Sequence, residues 1–198
     1  MPAQPTTLLQ EMSAAGRGVL ALIRGDRRAS DYFDFSRRGL YGSFIALLVA
    51  QLVAAYGPLL LGAHPPGGAI TRALIIVAIL FAAQVGFSAI VLRQIRRLDG
   101  LGPYLVADNW ATFFLTLFSA VLSQFGLSGE IAMVAMGILV IIIEINIARI
   151  IVTLSALQIA MFLIAQLVGV SVGLIIIGLV FPPAAEAVAG AAASAVPA

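Results

Sequence analysis

The chain has 198 residues, 62% of them hydrophobic and 10% charged, with a mean hydropathy of +1.10. A soluble domain is roughly half apolar and a quarter charged, so this composition excludes a water-soluble fold and makes lipid the solvent for most of the chain. The net charge of +2 is carried by eleven arginines and no lysine, and the absence of cysteine excludes disulfides, thiolate metal sites and cysteine nucleophiles.

The first element spans a segment interrupted by Gln10, Glu11 and Arg17, which lacks the continuous apolar run of a signal peptide. Thr7 and Gln10 have capping-box spacing, and Leu8, Met12, Val19 and Ile23 recur on one helical face. The pattern predicts an amphipathic helix lying in the membrane interface. "SDYFDFSRRGLYGSF" follows, with Tyr32, Phe33, Phe35, Tyr41 and Phe44 beside Arg37 and Arg38, the composition of a headgroup boundary. Residues 1–38 therefore read as a basic, amphipathic cytoplasmic segment.

Three windows long enough to span follow, at 40–63, 69–92 and 103–126, and then an uninterrupted apolar run at 131–181. As one helix that run would be roughly 75 Å long against a hydrocarbon core of ~30 Å, so it must fold back once. "TLSALQ" supplies the turn: Ser155 and Gln158 form another capping box. The membrane domain, 39–181, is thus expected to hold five spans, the last two at 130–153 and 155–181. Gly100 and Pro103 punctuate the loop between the second and third spans, and Pro58 falls near the end of the first. Residues 182–198, "PPAAEAVAGAAASAVPA", form a low-complexity tail. The expected fold class is all-α, a polytopic bundle of five transmembrane helices preceded by an interfacial helix.

Arginine sets the orientation. Arg24, Arg27, Arg28, Arg37, Arg38, Arg93, Arg96 and Arg97, with Arg17 and Arg149, fall on one face, and only Arg72 on the other. The positive-inside rule places the N-terminus in the cytoplasm and the C-terminus outside. The first eight of these are expected to contact anionic lipid headgroups. A pI near 9.5 then reflects topology, and nucleic acid is not an expected partner.

Polar residues inside the apolar runs are the candidate site. "IIIEINIARII" carries Glu144, Asn146 and Arg149, and Asp108 and Asn109 lie in the third span. With Gln158 they fall in the cytoplasmic half of the membrane, Asp108 and Arg149 at one depth. Ionisable groups in lipid are costly unless paired or wetted, so Arg149 is expected to pair with Asp108 or with Glu144, the former being the more natural partner. Such a cluster is either a helix-binding charge pair or a relay for protons or ions. Gln51 and Gln84, near mid-membrane, read as interhelical hydrogen bonders.

"GVSVG" imitates the G-x-S-x-G of a nucleophile elbow, but it lies mid-helix and the single histidine, His64, lies in an outer loop. Ala165, Gly169 and Gly173 read instead as a small-residue face for packing within the bundle or for a homo-oligomer. No catalytic, cofactor-binding or metal-binding set emerges, and no enzyme is expected.

Three segments together, "DYFDFSRRGLYGSF", "YLVADNWATF" and "ARIIVTLSALQ", resemble small alphaproteobacterial inner-membrane proteins of unassigned function. These are loosely similar in topology to Yip1-domain proteins. The resemblance implies a bacterial inner-membrane location and the same five-span topology, and it implies no catalytic residues. The expected function is a non-enzymatic accessory or scaffold protein. It would act through the membrane surface and helix packing, with a membrane-protein partner or a second copy. The alternative is a small transporter or channel using the intramembrane polar cluster.

Overall fold

A computed structural model describes residues 7–182 apart from 61, 63 and 128; nearly all of the expected tail, 183–198, lies outside the described residues. The described residues form six α-helices and no strand: α1 (Leu8–Arg24), α2 (Arg37–Leu60), α3 (Ala69–Gln94), α4 (Leu101–Gln124), α5 (Glu130–Asn146) and α6 (Ala156–Val180). Five of them, α2 to α6, are long and apolar enough to cross a membrane. The chain is a multi-pass membrane protein of the all-α class.

Local chemistry explains the ends of α1. The Thr7 hydroxyl accepts from the Gln10 amide at 3.3 Å, and Gly25 stops the helix in the left-handed region at φ 69°. The Gly25 and Asp26 amides then satisfy the carbonyls of Leu22 and Ala21 at 3.0 and 2.9 Å. A short 3₁₀ turn, Arg27–Tyr32, leads towards α2, whose first turn is capped by Ser36, with the Gly39 amide donating to its hydroxyl.

The face of α1 that meets the bundle keeps most of the expected apolar stripe: Val19 is buried and Met12 and Ile23 pack against the core, while Leu8 stays exposed. Ala15, Gly18 and Leu22 are buried beside them. Small side chains let α1 lie close on α4 and α5. The Phe33 ring fills the space over Gly18.

α3 ends at Gln94, and the left-handed residue that closes it is Arg96, at φ 59°, rather than Gly100. Gly100 has an ordinary φ of −76° and is glycine for another reason: Val152 packs directly against its Cα. α5 also ends sooner than its hydropathy predicts. From Ile147 to Ile151 the chain widens into a π-turn before the hairpin, and α6 starts at Ala156 behind the Ser155–Gln158 capping box. The Ser155 amide donates to Gln158 Oε1 at 2.9 Å.

α2 lies along α4 and α3 along α6, while few residues join one pair to the other. The core sits at the end of the bundle where α1 docks: Leu22, Leu92, Tyr104, Trp110, Ile143, Ile147, Val152 and Phe162 are fully buried there. Towards the opposite end the outward residues are large and apolar, among them Ile131, Met133, Leu174 and Leu179, as a lipid solvent permits.

Candidate functional site

The two helix pairs separate above the core and leave a cavity of about 720 Å³. Phe44, Gln51, Phe81, Gln84, Asp108 and Glu144 line it among aliphatic side chains of α2 to α5. Asp108 and Glu144 both face into it, close enough for the charge of one to act on the other.

A polar network from four helices holds the pair. Gln166 of α6 donates to Glu144 Oε2 at 3.4 Å and to the Tyr104 hydroxyl at 2.6 Å, and Gln84 of α3 donates to the same hydroxyl at 3.3 Å. With both amides donating to its oxygen, Tyr104 has its own proton left for an acceptor, and the Glu144 carboxyl lies in reach. Phe162 packs edge-on to the Tyr104 ring, centroids 5.0 Å apart, and seals the network from below.

The expected cluster is otherwise taken apart. Arg149 pairs with neither Asp108 nor Glu144; it is exposed and lies by Gly25, at the C-terminal end of α1, where a cation meets the negative end of the helix dipole. Asn146 donates to the Leu22 carbonyl of that helix at 2.8 Å. Depth along a span was shared, but α1 packs on the far side of α5 and draws both side chains there. Asn109 points away to α2, donating to the Ser43 hydroxyl at 3.1 Å, and Gln158 is spent on the α6 cap. The pair is therefore left without a basic partner: neither arginine nor histidine lines the cavity.

A second feature escaped the sequence reading. Asp108, Thr112, Thr116, Ser119 and Ser123 recur on α4 at intervals of four, four, three and four residues, which is one helical face. The last four line a groove of about 510 Å³ between α2, α4 and α5, and this groove shares Thr112, Leu115 and Val140 with the cavity. A hydroxyl stripe thus runs from the carboxyl pair towards the end of the bundle remote from α1.

The small-residue face is occupied. A Cβ on Gly169 would lie 3.1 Å from the Ala83 carbonyl, and one on Gly173 would lie 3.0 Å from Leu80, both on α3; Ala165 is buried one turn earlier. These residues pack α6 against α3 inside the bundle. Of the expected headgroup arginines, Arg24, Arg27, Arg28, Arg37, Arg38, Arg93 and Arg96 are exposed. Arg97 is only partly exposed. It turns inward and donates to the carbonyls of Val152 and Thr153 and to the Thr153 hydroxyl. Among known proteins, no family model, curated protein or solved structure matches this chain.

Proposed function

We propose that the chain is a small carrier in a bacterial inner membrane, with the cavity between the helix pairs as its binding and proton-exchange site. The observation that carries this reading is a carboxyl pair facing a large cavity that, among the described residues, no basic side chain lines. A structural ion pair would bring its own arginine; here the balancing charge has to be a proton or a ligand. The hydroxyl stripe of α4 supports access to the pair from the side opposite α1. The arginine distribution supports placing that side outside the cell.

The accessory reading leaned on two surfaces, the basic N-terminal helix and the glycine face of α6. The glycine face is taken up by α3, which weakens that reading, while the arginines of the N-terminal segment stay exposed.

Proteoliposomes holding the purified chain and a trapped pH dye test it. An imposed negative-inside potential should drive acidification of the lumen, lost in Glu144→Gln and reduced in Asp108→Asn. Wild-type vesicles as tight as empty ones would overturn the reading.

A further inference from the structure

Resting on the carrier reading, we infer that the ligand of this cavity is a lipophilic organic monocation that competes with protons for Asp108 and Glu144. Size, wall chemistry and charge each narrow the choice. A volume of about 720 Å³ is that of a drug-sized molecule. It is far larger than a bare metal ion needs, and among the described residues no group of three or more acidic, histidine or cysteine side chains is placed to hold one.

The wall is mostly aliphatic, so a hydrated or strongly polar solute would lose its water without replacement. Two rings from different helix pairs border the cavity: Phe44 of α2 and Phe81 of α3 meet edge-on, centroids 6.0 Å apart. Aromatic faces favour a diffuse positive charge. Gln51 and Gln84 offer amide groups on the same two helices.

Charge selects the sign. The groups facing the carboxyl pair are Tyr104 from α4 and Gln166 from α6, with Gln84 and Ser88 of α3 behind Tyr104 and Gln51 of α2 across the cavity. None of them carries a positive charge at neutral pH. With one proton the pair has one negative charge, and without any it has two. An organic cation entering from lipid or water supplies the missing charge, and the second negative charge, formed when the proton leaves to water, strengthens its binding. Proton and cation therefore compete for the negative charge of the pair.

Equilibrium binding of tetraphenylphosphonium to the full chain in lipid nanodiscs, from pH 5.5 to 8.5, tests this. Binding should tighten with pH by at most about tenfold per unit, the limit for one displaced proton. Neutral triphenylphosphine oxide should bind at least tenfold more weakly, and sodium chloride should not displace the cation beyond its ionic-strength effect. Asp108→Asn combined with Glu144→Gln should abolish the pH dependence. Phe81→Leu, which leaves the carboxyl pair intact, should weaken binding about tenfold and preserve its pH slope. Equal binding of the neutral analogue, specific displacement by sodium, or a pH-independent wild type would each overturn the inference. If tetraphenylphosphonium does not bind while the proteoliposomes still admit protons, the ligand class is wrong and the carrier reading stands; if neither occurs, both fall.

Discussion

Arg97 and Thr153 stand 56 positions apart in the chain and are joined by two hydrogen bonds, at 2.6 Å to the hydroxyl and 3.2 Å to the carbonyl. With a third bond to the Val152 carbonyl, this clamps the α3–α4 loop onto the α5–α6 hairpin. Thr153 is left-handed, at φ 58°, an arrangement that a β-branched residue adopts only when its surroundings hold it. Arg97→Ala is expected to cost about 2 kcal/mol, since charged hydrogen bonds to the hairpin are lost and its carbonyls are left unsatisfied. Arg97→Lys should recover little of it, because one ammonium cannot span the three acceptors. Thermal unfolding in detergent measures both.

Gly169 and Gly173 meet α3 at contact distance, so enlarging them acts on the fold of one molecule. Gly169→Val is expected to destabilise the monomer by about 2 kcal/mol through overpacking. Size-exclusion chromatography with light scattering gives the counter-case: a folded monomer replacing a wild-type dimer would place this face between copies instead.

Two acids outside the spans are buried, Glu11 and Asp34; Glu11 is 5% exposed, with Oε1 lacking a hydrogen-bond partner. Burial pushes its carboxyl above the usual range, and the nearby charge of Asp34 pushes the same way, while donation from Trp110 and the charge of Arg38 oppose them. The folded state then holds a proton that the unfolded chain releases. Its stabilising effect is complete below the ordinary value of 4.5 and is lost as pH rises through the raised folded pKa. Docking of α1 should therefore loosen across that interval as pH rises. Glu11→Gln should remove the dependence and tighten docking at neutral pH, read by hydrogen exchange of the α1 amides.

Asn146→Ala deletes the 2.8 Å bond to the Leu22 carbonyl. The expected loss is about 1 kcal/mol, a roughly fivefold rise in exchange of the amides in the last turn of α1. No change there would mean that the helix is held by its small-residue face alone.

The spans were legible because twenty or so apolar residues have few fates, and the Ser155–Gln158 cap because its spacing is local. What the sequence did not disclose is azimuth. Arg149 and Asp108 share a depth, but which way a side chain points around its helix depends on the neighbour, and the neighbour of α5 on that side is the docked α1 rather than α4. Gln166 was not singled out, because a lone amide in an apolar run shows no partner until α6 packs on α3 and brings it to Tyr104. The α4 stripe was open to a helical-spacing count from Asp108 to Ser123, but threonine and serine barely dent an apolar average. Arg97 looked like its exposed neighbours for the same reason: composition does not register the left-handed turn at Arg96 that aims it inward.

Glu144 and Asn146 sit on nearly opposite sides of the last turn of α5, one towards the cavity and the other towards Leu22. By that geometry, a twist drawing the acid towards an occupant would lever the amide against the peripheral helix. Spin labels at Leu20 and Ile138, both exposed, should change separation when tetraphenylphosphonium is added, and Asn146→Ala should uncouple them. Cargo inside the bilayer would then be sensed at its surface through a single rotating peptide segment.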